Sequence, residues 1–292
     1  MCPPASESLP ELVGPLIGEV LGEPEPLEGG ITNHNFRVRA RGGDYVVRVF
    51  GRGTSELGID RSAERAATEA AALAGVGPVL VAFRDDMLVT EFIDGEPMPR
   101  LRIEETAAAL RAVHAGPTLP ARFCPFRVVE GYSERAVSVP ADYAFAHALA
   151  REIEAALQGP EHELVPCHND LLGANLIWDG ERVRIVDWEY AGMNDRHFDL
   201  GNLSINNDLD EKDDERLLAS YFGEPCTPAR FASLRLMRIV SDFREAMWGV
   251  VQQTLSELDF DFAGYAAEHF ERLRASAADP RYRRWLEDAA GG

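Results

Sequence analysis

The segment FRVRARGGDYVVRVF, residues 36–50, constrains this chain more than any other. Strand-forming residues on either side of a Gly-Gly turn, alternating in the first arm, have one good solution, an antiparallel hairpin of FRVRA with YVVRVF. Before it, LEGGITNHN reads as a short strand candidate and a glycine-rich turn. After it, RSAERAATEAAALAG carries Ala63, Ala66, Ala67, Ala70 and Ala74 at helical spacing, with Asp60 as N-cap and Gly75 near the C-terminus. VGPVLVAF and MLVTEFI continue as strands, and DGEPMP breaks the pattern near residue 95.

Beyond that break the pattern turns mainly helical, over 102–115, 141–158, 197–207, 211–222, 228–257 and 261–275. Only LVPCH, ANLIWDG and RVRIVDW interrupt as short strands, and the proline-rich segment 116–140 reads as a long connection. The expected architecture is α+β, with a small β-rich lobe over 1–94 and a larger, mainly helical lobe over 95–292.

Composition narrows the function classes. With 292 residues and 46% hydrophobic content the chain can bury a substantial core. No apolar run approaches the ~20 residues that span a bilayer, and MCPPASESLP lacks a secretory pattern, so a cytoplasmic protein without membrane insertion is expected. A formal charge of −20 argues against nucleic-acid binding. Cys2, Cys124, Cys167 and Cys226 have no metal-site spacing and read as reduced thiols. Lys212 is the only lysine, so any buried cation must come from arginine.

The chemistry concentrates in VPCHNDLLGANLIW and the strand that follows. His168, Asp170 and Asn175 leave one strand, and Asp187 ends the apolar strand RVRIV twelve residues after Asn175. A hairpin would bring these strand ends together. Phosphoryl transfer needs a carboxylate for the attacking hydroxyl and oxygen ligands for Mg²⁺, which Asp170, Asn175 and Asp187 supply. Turn and cap interactions are the plainer use of the same residue types.

Arg48 lies on the strand face of Val46 and Phe50, so its charge needs a partner. Of the two helix acids, Glu64 borders the apolar stripe and Glu69 lies well round toward solvent, so Glu64 is the expected partner. The turn residues Gly29, Gly30, Thr32 and Asn33 offer backbone N–H groups to phosphates.

CHNDLLGANLIW, VRIVDWEYAGMNDRHFDLGN, GGITNHNFRV and YVVRVFG resemble the choline/ethanolamine kinases of the aminoglycoside-phosphotransferase-like group, from about Leu27 to Leu273. The resemblance implies a protein-kinase-like bilobal fold using ATP and Mg²⁺. It implies Asp170 as catalytic base, Asn175 and Asp187 as Mg²⁺ ligands and Arg48 with Glu64 as the phosphate-anchoring pair. Asp199 is similar to an aspartate that braces the catalytic loop, and Glu91, Phe92 and Ile93 correspond to the strand that meets adenine. Asp170, Glu189, Asn206, Glu245, Trp248, Phe260 and Tyr265 are the implied acceptor-pocket residues.

The pattern departs from the family at three places: Glu245 stands where a second tryptophan is expected, Asn206 where an acid is, and Leu172 where a glutamine is. Glu245 compensates for the acid missing at Asn206 and suits a primary amine at least as well as choline. The expected acceptor is a cationic amino alcohol, choline or ethanolamine first. The alternatives are an aminoglycoside, homoserine, thiamine or sugar acceptor, or a silent nucleotide-binding module. Either a monomer or a homodimer is compatible with the sequence.

Overall fold

A computed structural model describes residues 9–27, 33–51, 54, 56–256 and 258–291. The hairpin that dominates the sequence forms β2 (His34–Ala40) and β3 (Gly43–Val49), paired from His34↔Val49 to Ala40↔Gly43. It sits inside a five-stranded antiparallel sheet with β1 (Glu25–Leu27), β4 (Leu80–Phe83) and β5 (Met87–Glu91), in the order β1-β2-β3-β5-β4. Alternation gives this sheet two different faces. Val38, Val47, Val49, Met87 and Val89 face outward and pack under Leu9, Val13 and Ile17 of α1 (Leu9–Ile17). Arg48 and Val46 point to the other face, toward the rest of the molecule.

Helix α2 (Arg61–Leu73) begins where the Asp60 carboxylate accepts the N–H groups of Ser62 at 2.8 Å and Ala63 at 3.1 Å. It ends at Gly75, whose φ of +71° is a conformation glycine adopts without strain. Glu64, in its first turn, is wholly buried. The five-stranded sheet ends at Glu91, and the next strand, β6 (Glu96–Pro97), pairs instead with β8 (Leu176–Trp178), which pairs with β9 (Val183–Ile185).

The remaining elements are α3 (Ile103–His114), α4 (Pro125–Arg135), α5 (Asp142–Ala156), β7 (Leu164–Cys167), β10 (Gly192–Asp195), α6 (Arg196–Asn206), α7 (Glu211–Phe222), α8 (Pro228–Leu255), α9 (Phe262–Ala277) and α10 (Tyr282–Ala290). The fold is α+β, as expected. Helix α8 is buried almost all round from Ala232 to Gln252 and packs against α4, α5, α6, α7, α9 and α10. Among the described residues no helix is long and apolar enough to cross a membrane.

Several elements depart from the sequence expectation. The connection over 116–140 contains α4, which Pro125 starts and whose buried residues Pro125, Val129 and Tyr132 form one stripe. Helices α1 and α10 also went unread. Their buried positions Leu9, Val13, Ile17 and Tyr282, Trp285, Ala289 are periodic, but each helix is only 9 residues long. Strand β10 has no alternation to reveal it, and exists because Gly192–Asp195 pairs with β7.

Helices α6 and α8 meet at Gly201, where an added Cβ would lie 2.9 Å from the backbone carbonyl carbon of Met237. Gly201→Ala is expected to lower stability by about 1–3 kcal/mol through overpacking. Gly14→Ala in α1, with open space around it, should be neutral or stabilising. Thermal melting of the two variants checks this, and equal effects would contradict the packing argument.

Candidate active site

The loop leaving β7 is held by one buried carboxylate. Asp199 of α6 accepts the backbone N–H of His168 at 2.8 Å and of Asn169 at 2.7 Å, and His114 Nε2 lies 3.1 Å away. Asn169 takes a φ of +69°, and its side chain donates to Tyr190 O at 2.9 Å and accepts from Asn194 Nδ2 at 2.8 Å. His168 Nδ1 accepts the Asp170 N–H at 3.2 Å, so Nε2 carries the proton and donates to Val186 O at 2.9 Å. Burial lowers the His168 pKa, which favours this neutral form. The ring therefore orients the loop, as its place two residues before Asp170 suggests.

The β8–β9 hairpin then joins the two halves of the sequence motif. Val186 N–H donates to Asn175 O at 3.0 Å, and Asn175 Nδ2 donates to Asp170 O at 2.9 Å. Asp187 follows with a φ of +67°, unusual for a side chain other than glycine. Arg48 reaches it from β3, with Nη1 2.6 Å from Asp187 Oδ1 and 3.2 Å from Glu64 Oε1, while its Nε donates to Asn35 Oδ1 at 3.2 Å. Glu69 is exposed and pairs with Arg65. Burial opposes the Arg48 charge, but Asp187, Glu189 and Glu64 outweigh it and hold the guanidinium firmly protonated.

Sequence reasoning missed Arg61. Its Nη1 lies 2.6 Å from Glu64 Oε2 and 3.7 Å from Glu189 Oε2, its Nη2 donates to Asn33 Oδ1 at 3.2 Å, and its guanidinium lies 3.8 Å from the Phe50 ring centroid. The available signal was its place three residues before Glu64 on α2. Asn33 Nδ2 donates to Glu189 Oε2 at 2.7 Å, so Glu189 bonds on the side of the turn and Arg48. Gly29, Gly30 and Thr32 lie outside the described residues.

At the other side of Asp170 stands Arg244, also unread from the sequence, with Nη1 3.1 Å from Asp170 Oδ1 and 2.5 Å from Glu245 Oε1. Glu245 Oε2 accepts the Tyr265 hydroxyl at 2.9 Å. Trp248 donates through Nε1 to Tyr190 Oη at 3.0 Å and meets Tyr265 edge-on with centroids 5.6 Å apart. Phe260 is exposed and touches Tyr265. Asn206 forms no bond to this group, and its buried Nδ2 has no partner among the described residues. Its neighbour Asn207 instead donates to Leu171 O at 3.2 Å. Glu91, Phe92 and Ile93 line a cavity of about 300 Å³ with Pro78, Val79, Asp94, Asp179, Glu181 and Arg184.

The electrostatic balance is informative. Among the described residues, Asp170, Asp187, Glu189, Glu64 and Glu245 pair with Arg48, Arg61 and Arg244 alone. Burial first, then Glu245 and Asp187, push Asp170 up to about 7 against the opposing pull of Arg244. Burial and then Asp187 push Glu189 up to about 8. Carboxylates so placed ionise reluctantly until a further cation arrives.

A raised carboxyl pKa makes stability fall with pH. Between about pH 4 and pH 8 the unfolded chain binds fewer protons at position 189 than the folded one, so ionising Glu189 destabilises the fold. Glu189→Gln is therefore expected to melt a few degrees above the wild type at about pH 8.5 and level with it at about pH 5. A pH-independent difference would contradict the raised pKa.

The phosphotransferase enzyme family model matches residues 23–236. Ethanolamine kinase 2 of Homo sapiens is 27% identical over 263 residues, covering 78% of this chain and 68% of that protein. A choline/ethanolamine kinase family protein from Mesorhizobium loti superposes with a TM-score of 0.85 at 31% identity, covering 98% of this chain and 99% of the other. The choline kinase LicA from Streptococcus pneumoniae superposes with a TM-score of 0.79 at 25% identity, covering 93% and 98%. The chain belongs to the phosphotransferase enzyme family and, within it, to the choline/ethanolamine kinases.

Proposed function

We propose that this protein transfers the γ-phosphoryl group of ATP to the hydroxyl of an amino alcohol, with choline and ethanolamine as the simplest acceptors. The observation that carries this is the position of Asp170 between two clusters of opposite use. On one side Asn175, Asp187 and Arg48 gather groups for phosphates, and on the other Glu245, Trp248 and Tyr265 gather an acid and aromatic faces. An ammonium suits both an acid and aromatic rings.

The donor set fits Mg²⁺. Asn175 spends its Nδ2 on the Asp170 carbonyl, leaving Oδ1, and Asp187 engages Arg48 through Oδ1, leaving Oδ2. Hard oxygen ligands among surplus carboxylates are what this ion takes. Bound there, Mg²⁺ would neutralise the nucleotide's phosphate charge and hold it in line.

The chain's own groups do the rest. Arg48, clamped by Glu64 and Asp187, presents a fixed positive charge to the phosphates. Asp170 orients the acceptor hydroxyl and takes its proton as the oxygen attacks the γ-phosphorus. The bond from that phosphorus to the β–γ bridging oxygen breaks, and ADP leaves.

Asp170→Ala is expected to lower turnover by about 10²- to 10⁴-fold with Mg-ATP binding nearly intact, whereas Asp187→Ala should weaken Mg-ATP binding as well. ADP release with choline and ethanolamine, beside nucleotide titration calorimetry, separates the two. Undiminished turnover in Asp170→Ala would remove the assignment of the base.

A further inference from the structure

Arg61 opens α2 three residues before Glu64, and its side chain is 22% exposed where that of Glu64 is wholly buried. Nη1 lies 2.6 Å from Glu64 Oε2 and 3.7 Å from Glu189 Oε2, and Nη2 donates to Asn33 Oδ1 at 3.2 Å. The guanidinium carbon lies 3.8 Å from the Phe50 ring centroid. One side chain thus touches the residue before β2, the residue after β3, α2 itself and the segment after β9.

These segments belong to different packing units. Ala67, Ala71 and Val76 fall in one apolar cluster with Leu110, Leu176 and Ile185. Leu57 and Ile59, just before α2, join the core around α8, where the Tyr132 hydroxyl donates to Leu57 O at 2.9 Å. The five-stranded sheet instead buries its outer face against α1. Helix α2 is therefore fixed to the mainly helical part of the chain, and Arg61 reaches from it to the sheet side, which carries Arg48 and the adjoining Asn33.

The pairing of individual atoms shows what this contact does. Arg48 gives Nε to Asn35 and Nη1 to Glu64 and Asp187, and its Nη2 has no partner among the described residues. Glu64 gives Oε1 to Arg48 and Oε2 to Arg61. Without Arg61 the buried Oε2 would lose its cation, and a two-oxygen pairing with Arg48 would satisfy it by consuming Nη2. Asn33 Oδ1 accepts from Arg61 and from Gly51 N–H, each at 3.2 Å, and Nδ2 donates to Glu189 at 2.7 Å, so both ends of the amide are held.

We propose that Arg61 is a positioning residue for the nucleotide. It confines Glu64 to one nitrogen of Arg48, which keeps Nη2 for phosphate, and it ties Asn33 to α2, which registers the sheet over the site. It acts through Glu64 and Asn33, not on the reacting atoms. The inference rests on the kinase reading above and deepens its nucleotide side.

The test measures Kd for Mg-ATP by titration calorimetry without acceptor, and KM for Mg-ATP and for ethanolamine or choline by ADP release. The proteins are the wild type, Arg61→Met, Arg61→Lys and Arg65→Met. Arg65 pairs with Glu69 on the exposed side of α2, so its loss removes the same charge without touching the network. Arg61→Met is expected to raise Kd and KM for Mg-ATP about tenfold or more, the size of a lost charge-assisted hydrogen bond, while KM for the acceptor moves less than about twofold. Arg61→Lys should recover only part of the loss, because an ammonium has no fork to bridge Glu64 and Asn33. Arg65→Met should match the wild type.

An unchanged Kd in folded Arg61→Met overturns the proposal. So does an equal rise in the acceptor KM, which marks a general loss of structure, or an equal effect of Arg65→Met, which marks charge alone. Where Arg61→Met does not fold, Arg61→Lys decides, and a Kd at the wild-type value overturns the proposal. Calorimetry needs no acceptor, so weakened nucleotide binding in Arg61→Met beside no ADP release in the wild type would sink the amino alcohol reading and leave Arg61 its role.

Discussion

The candidate active site depends on how a loop of polar backbone is kept inside the protein. Asp199 meets the N–H groups of His168 and Asn169 with one oxygen each, and is itself wholly buried. Without that carboxylate, two buried donors would go unmet and the turn at Asn169, with its positive φ, would lose its clamp. Asn202, from the same helix, accepts the N–H of Leu171 at 2.5 Å, so α6 fixes the loop on both sides of Asp170. The helix is in turn pressed against α8 at Gly201, where backbone meets backbone. Packing two helices at Gly201 thus fixes the stretch of α6 that carries Asp199.

The second constraint is the near absence of lysine. Arg48 engages Glu64 and Asp187 together, and Arg61 touches Glu64, Glu189 and Asn33, so acids from α2 and from the segment after β9 are bound as one unit. A planar guanidinium with several N–H groups can bridge in this way, where an ammonium acts as a point charge. Among the described residues the cluster still carries more acids than cations, and the raised pKa values of Asp170 and Glu189 express that imbalance. Such an excess favours the arrival of further positive charge.

The far side of Asp170 is built on one helix, α8, through neighbouring residues with different partners. Arg244 addresses Asp170, Glu245 addresses Tyr265, and Trp248 one turn on addresses Tyr190. An arginine beside the acid makes this group more polar than a set of aromatic rings alone.

Patterns with short reach were legible in the sequence. The hairpin at 36–50, the Asp60 cap, the choice of Glu64 over Glu69 and the convergence of Asn175 with Asp187 all follow from periods of two or 3.6 residues and from one short hairpin. Helix α4 was hidden by its proline and glycine content, and β10 by having no pattern of its own. Arg61 and Arg244 looked like ordinary helix charges, because Glu189 and Asp170 lie far from them in the chain. The amino-acid sequence alone therefore determined the α+β architecture and which polar groups stand at the ends of the short strands, since local periodicity and residue chemistry suffice for both. Only the tertiary structure decided which buried charges share a partner and which donors lack one, because those depend on burial and on contacts between distant segments that no local pattern encodes.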